Sequence, residues 1–363
     1  RQLRTQNADQ LLTQYVVFHE TDQTTRIPPG ALLGVLRFAG LKRGKQERAL
    51  IRKSLFSGLA KNGWIVLPFV VLTMLAAAWL SVTETWAERV MRGGHTAAVR
   101  CAAFSPDGGR LVSGDEKGVV IVWEFPSRQK LRTLKAHAAW VTSIAFSPDG
   151  KRFATSGDDH NIVVWDTARL EKVIELRGHQ WAVVSIAFSS DGQRLASTSG
   201  GQPGRTIIWE TNSWQKKQEL PLAFTVGKLA FFANNRWLLS STMRQIWSLD
   251  TGREVSGFLV PDWSGDEMAL SAKSNRLVSI SKQGTIHFVD LNHRKVLGSR
   301  KTDYYIGDPL AISPDGRLAA SGSGDIALWD VAAQRKLARL KHTAQVNNLV
   351  FSPDEKWLVS THE

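Results

Sequence analysis

The sequence predicts a mainly β fold: a seven-bladed β-propeller, its last blade truncated, preceded by a transmembrane helix and a small α/β segment. Three observations carry this. A short Ser-Pro-Asp-type turn behind an apolar residue returns at positions 104, 146, 188, 231, 270, 312 and 351, in steps of 42, 42, 43, 39, 42 and 39. Each of the first six turns is followed some twenty residues later by an apolar strand ending in Trp or an acidic residue, as at Trp165-Asp166. Ahead of the repeats, no charged residue lies between Lys61 and Glu84.

Residues 1–62 form a basic N-terminal segment, with 11 Lys and Arg against 4 Asp and Glu. Residues 11–19 are rich in β-branched and aromatic types and read as a strand. Asp22 to Thr25 reads as a turn, Pro28-Pro29-Gly30 breaks the chain, and a basic helix is expected from about Lys42 to Leu59. The cluster Lys42, Arg43, Lys45, Arg48, Arg52, Lys53 and Lys61 gives much of the net charge of +13. Its place just before an apolar run points to anionic headgroups rather than nucleic acid, so no nucleic acid is expected as a partner.

Residues 63–83 read as the transmembrane helix, with 64–82 as the span. A helix needs roughly 20 residues to cross about 30 Å of hydrocarbon, and Trp64, Trp79 and Trp86 stand near its ends. The basic flank predicts a cytoplasmic N-terminal side and an extracytoplasmic propeller. Residues 84–92 read as a linker and 93–363 as the propeller. The chain starts at Arg1 and stops inside a repeat, so it reads as a piece of something longer.

The repeats justify the propeller. Copy one has His95, Phe104-Ser105-Pro106-Asp107-Gly108 and Trp123-Glu124. Copy two has His137, the same turn at Phe146 to Gly150, and Trp165-Asp166. Copy three has His179, Phe188 to Gly192, and Trp209-Glu210. Later copies are worn but in step: Phe231 leads to Trp247, Leu270 to Asp290, and Ile312 to Trp329-Asp330. A seventh opens at His342 and Phe351. A twisted four-stranded unit cannot bury both faces alone. Set radially, each sheet covers its neighbour.

These residues resemble the WD40 repeat family over about 270 residues, in a flavour similar to its bacterial branch. The resemblance implies a buried hydrogen-bond chain of His, Ser or Thr, Trp and a turn Asp in each blade. In copy two it falls on His137, Thr155, Asp159 and Trp165. Copy one offers His95, Ser113 and Trp123, with Lys117 at the Asp position. Copy three offers His179, Ser197 and Trp209, with Gln202-Pro203-Gly204 in that turn. Trp247 and Trp329 are further blade-core residues. On this reading the chain is complete at most once.

The segment before the apolar run resembles the tail of a winged-helix unit. That arrangement is similar to bacterial signalling ATPases of the STAND type, which implies an NTPase core upstream.

The repeated His residues recur once per blade, so they are structural, not a catalytic or metal set. No cofactor is expected, and the single cysteine, Cys101, excludes an intrachain disulfide. No nucleophile elbow or metalloprotease helix occurs, so the fragment does not read as an enzyme. The candidate partner-binding residues are Arg100, Trp140 and Trp181, which stand where the family's partners dock. The alternative is that both indoles pack against adjacent loops. The expected function is a membrane-anchored, protein-binding scaffold or sensor module of a larger signalling protein. Two alternatives stand beside it. One is the regulatory part of a signalling NTPase or kinase, the other a propeller enzyme with its site in the central channel.

Overall fold

The computed structural model describes residues 16–21, 86–91, 94–201, 204–222, 227–241, 245–255, 267–281, 283–302, 308–341 and 344–362. The chain divides into two compact units, one of Arg1–Glu20 with Glu88–Glu363 and the other of Thr21–Ala87. Apart from its ends, the second lies outside the described residues.

The first unit is built of antiparallel sheets whose strands follow one another in sequence. Blade one comprises Val99–Phe104, Arg110–Asp115, Val119–Glu124 and Lys130–Lys135. Blade two comprises Val141–Phe146, Arg152–Gly157, Ile162–Asp166 and Glu171–Leu176. Blade three comprises Val183–Phe188, Arg194–Ser199, Gly204–Glu210 and Lys216–Leu222. Blade four shows three strands, Leu229–Phe232, Trp237–Ser240 and Gln245–Ser248, with a single bridge from Trp247 to Glu254. Blade five comprises Met268–Ser271, Arg276–Ile280, Thr285–Asp290 and Lys295–Lys301. Blade six comprises Leu310–Ile312, Leu318–Ser321, Ile326–Asp330 and Arg335–Leu340.

Six blades, not seven, are therefore made from consecutive repeat strands. The remaining sheet is composite. Val346–Phe351 and Trp357–His362 are joined by Val16–Thr21 and then Trp86–Met91. Val16 pairs with Thr361 and Glu20 with Trp357 in an antiparallel register. This corrects the expectation of a seventh blade truncated to an open edge. The outer positions are filled by strands from before the repeats, because an unpaired row of backbone donors and acceptors is costly and prone to association. Trp86–Met91, read from the sequence as linker, is the outermost strand of that sheet.

The membrane expectation is corrected as well. Among the described residues no helix is long and apolar enough to cross a membrane, and the described elements are all strands. The run 64–82 on which the span rested lies outside the described residues. The single-pass placement and its sidedness are withdrawn. The basic helix expected from Lys42 to Leu59 also lies outside them.

Neighbouring sheets share their cores, as radial packing requires. Phe153 and Trp165 of blade two pack with Val112 and Val122 of blade one. Ile207 and Trp209 of blade three pack with Ile162 and Val164 of blade two. The composite sheet reaches blade one through Met91 and Val359, which join Leu111, Ile121 and Trp123. Middle strands are buried on both faces, as Val120 to Trp123 show, whereas outer strands such as Lys130–Lys135 are mostly exposed. The repeated turns need a left-handed residue at their fourth position. Gly108, Gly150, Gly192 and Gly316 supply it with φ of 69–72°. In the seventh turn Glu355 takes that position at φ 63°.

Candidate protein-docking face and the networks beneath it

Each of the first three blades ends its middle strand with a Trp whose indole turns inward. In blade one, Trp123 Nε1 donates to Ser113 Oγ at 2.9 Å, and that hydroxyl lies 2.7 Å from His95 Nε2. His95 Nδ1 is 2.8 Å from Asp115 Oδ2. A neutral imidazole protonated on Nδ1 satisfies every member: indole to hydroxyl, hydroxyl to Nε2, Nδ1 to carboxylate. Asp115 Oδ1 also accepts the amides of Lys117 and Val119, each at 2.9 Å. Burial raises the Asp115 carboxyl, but the bonds from His95 and these amides outweigh it and hold the pKa below its usual value.

Blade two repeats the arrangement. Trp165 Nε1 donates to Thr155 Oγ1 at 3.1 Å, Thr155 lies 2.9 Å from His137 Nε2, and His137 Nδ1 lies 3.0 Å from Asp159 Oδ1. Burial lowers the His137 pKa despite the nearby Asp159 carboxylate. Blade three lacks the acid. His179 Nε2 meets Ser197 Oγ at 2.7 Å, and Trp209 Nε1 donates to the same oxygen at 2.8 Å. His179 Nδ1 has no partner among the described residues, and burial holds its pKa down to about 4. In blade six Trp329 Nε1 donates to Ser321 Oγ at 2.9 Å. In blade four Trp247 Nε1 is buried without a partner among the described residues.

The network is thus complete in blades one and two, not in blade two alone. The repeat register put Lys117 at the acid position and missed Asp115, two residues earlier. The available signal was the acid directly after Ser113-Gly114, close enough to the turn for its carboxylate to reach His95. Replacing Asp115 by Asn should cost about 1–3 kcal/mol in a urea titration. The amide must point an N–H at either His95 or the two backbone donors. An unchanged midpoint would show that Asp115 does not hold the turn.

Beside these networks, the turns leading into the inner strands of blades two and three carry Trp140 and Trp181, and Arg100 stands at the start of the inner strand of blade one. Trp140 is 49% exposed and Trp181 50% exposed. Arg100 reaches from blade one into three neighbours. Its Nε donates to Glu116 at 2.7 Å, Nη1 donates to Asn347 Oδ1 at 3.2 Å, and the guanidinium lies over the Trp140 ring at 5.1 Å. Asn347 Nδ2 returns a bond to the Val99 carbonyl at 3.2 Å, so the same cluster ties blade one to the composite sheet. The Trp140 carbonyl accepts the Asp158 amide at 2.9 Å, and the Ala182 carbonyl accepts the Gly200 amide at 3.0 Å. The Trp181 ring lies against Gly201, so closely that a Cβ there would collide with it. Both indoles are therefore positioned by anchored backbone while half their surface faces outward. His342, of copy seven, lies outside the described residues.

Among the described residues, no group of three or more His, Cys, Asp or Glu could hold a metal ion. Burial raises the thiol pKa of Cys101, which keeps it protonated and unreactive.

The repeats match the WD40 model (WD domain, G-beta repeat) at residues 88–124, 128–166, 170–210 and 334–363. The small ribosomal subunit protein RACK1z of Arabidopsis thaliana is 43% identical over 56 residues, which is 15% of this chain and 17% of that protein. RACK1 of Schizosaccharomyces pombe is 47% identical over 51 residues, 14% of this chain and 16% of that protein. The aligned stretches thus span less than a fifth of these relatives. Among solved structures, the RRP9 WD40 repeats align with a TM-score of 0.65 at 20% identity, covering 75% of this chain and 89% of that one. U3-55K aligns with the same score and identity, covering 90% of its own chain. At that identity the likeness is one of fold.

Proposed function

We propose that this chain, a WD40 propeller, is a non-catalytic scaffold that docks a protein partner on the face carrying Arg100, Trp140 and Trp181. One observation carries the reading: two half-exposed indoles on adjacent blades are held in place by backbone bonds and, at Trp140, by a guanidinium. Rigid aromatic anchors beside an Arg are the residue types that dominate binding energy at interfaces, because they bury much area at little entropic cost. The 56-residue likeness to a small ribosomal subunit protein supports a propeller seated within a larger assembly. A sensor role in a signalling protein is a finer form of the same reading.

The test is affinity capture with the isolated chain, followed by titration of the captured partner. Trp140→Ala combined with Trp181→Ala should weaken binding at least 100-fold, on the order of 3 kcal/mol for two such anchors. Thermal stability should change little, since both rings are half-exposed. Unchanged affinity in the double variant would place the docking face elsewhere.

A further inference from the structure

The outermost strands of blades five and six are basic. Lys295–Lys301 contains Lys295, Arg300 and Lys301, and Arg335–Leu340 contains Arg335, Lys336 and Arg339; neither strand holds an acidic residue. Between them lies a cleft of about 400 Å³ lined by Arg300, Lys301, Thr302, Trp329, Gln334, Arg335 and Lys336. Four of these are cations, and among the described residues no carboxylate lines the cleft. Arg300 Nη1 and Lys301 Nζ donate to the backbone carbonyls of Ser299 and Gln283, which do not neutralise them. Arg339, outside the cleft, pairs with Asp325 at 2.7 Å.

The cleft is built, not a chance gap between flexible side chains. Gln334 crosses from blade six and donates to the Leu297 carbonyl of blade five. It lies so close to Gly298 that a Cβ there would collide with its Oε1. Lys336 lies over the Trp329 ring at 5.4 Å, which fixes the ammonium on the cleft side.

We propose that this cleft binds the phosphodiester backbone of a nucleic acid. Four cations exceed what one phosphorylated side chain, at about −1.5 to −2, would balance. The four cations stand as two adjacent pairs, Arg300 with Lys301 on one wall and Arg335 with Lys336 on the other, an arrangement that meets more than one phosphate of a backbone. The cations line both walls of a recess, a form that suits a chain lying in a groove rather than a flat lipid surface. Trp329 is 3% exposed, so among the described residues lining the cleft no ring is open for base stacking and their contact reads charge, not sequence. The sequence set nucleic acid aside because its strongest basic cluster precedes the apolar run; this cleft is formed by other residues. The proposal stands apart from the docking face and does not depend on it.

Fluorescence anisotropy with the 363-residue chain tests it. The probes are labelled 20-mers of oligouridylate and oligothymidylate, with poly-glutamate of equal length as the competing polyanion. At least one oligonucleotide should bind at low salt and outcompete poly-glutamate. Combining Arg300→Gln, Lys301→Gln, Arg335→Gln and Lys336→Gln should weaken binding at least tenfold. It should also flatten the slope of log affinity against log salt by about 3. The pair Lys301→Gln and Lys336→Gln should fall between the two and serves if the fourfold variant does not fold. Substituting Lys130, Arg132 and Lys135 on the outer strand of blade one should leave affinity near that of the parent. Binding of one oligonucleotide alone would uphold the proposal and identify RNA or DNA as the source of the backbone. The proposal is overturned if neither binds, if poly-glutamate binds as tightly, if the fourfold variant binds like the parent, or if the blade-one variant loses as much.

Discussion

Trp165→Ala is expected to destabilise the propeller by about 3–5 kcal/mol, and by clearly more than Trp247→Ala. Both indoles are buried, at 6% and 8% exposure, so the transfer terms are similar. Their surroundings differ. Trp165 stacks on Phe153 with the rings 6.0 Å apart and 13° from parallel, and its N–H reaches Thr155 at 3.1 Å. Removing it opens a cavity shared by blades one and two and leaves the Thr155 hydroxyl, which also bonds His137, with one donor fewer. Trp247 Nε1 is already without a partner among the described residues, so its loss removes area and relieves an unsatisfied donor. Urea titrations of the two variants decide the matter. Equal losses would mean that the blade-two chain contributes nothing beyond packing.

The second large effect is a loss of stability in mild acid. His179 titrates at about 4 in the folded chain, against about 6.5 unfolded. The unfolded state therefore binds the proton first. The contribution is intact above pH 6.5 and is lost as pH falls from there toward 4. The depressed carboxylates, Asp115 among them, act in a lower window, below about pH 4, where the unfolded carboxyls begin to protonate. Between pH 7 and 4.5, His179 should account for roughly 2–3 kcal/mol of lost stability. His137, depressed by burial, adds in the same direction. His179→Gln should flatten that slope by about one proton. Parallel curves for variant and parent would show that the imidazole is not held neutral by its site.

Much of the fold was legible because the turns are chemically demanding. A Ser-Pro-Asp-Gly run specifies a hydroxyl, a carboxylate and a left-handed residue in fixed order, and Ser147 Oγ donating to Asp149 at 2.6 Å shows that use. Where the residues drift, the register persists but the chemistry does not. In copy four Ala233, Asn234 and Asn235 all take positive φ in place of one glycine. The composite sheet could not be read from periodicity, since Val16 pairs with Thr361 across nearly the whole chain. Local pattern carries no information about so distant a partner.

The site was partly legible for a related reason. His, Ser or Thr, and Trp recur at constant spacing, whereas the acid enters from a turn of variable geometry. It comes from Asp115 at a strand end in blade one and from Asp159 within the turn in blade two. Exposure of Trp140 and Trp181 depends on how their turns fold back onto Asp158 and Gly201, contacts that no spacing rule supplies. The basic cleft escaped notice because its walls come from two blades, each with an ordinary outer strand.

Site-specific photocross-linking tests the central claim most directly. Benzoylphenylalanine is placed in turn at Trp140 and Trp181, and at Leu131, Val173 and Leu337, exposed apolar positions on outer strands. The account predicts one discrete protein adduct, the same from positions 140 and 181, and none from the three outer positions. Adducts confined to the outer strands would contradict it.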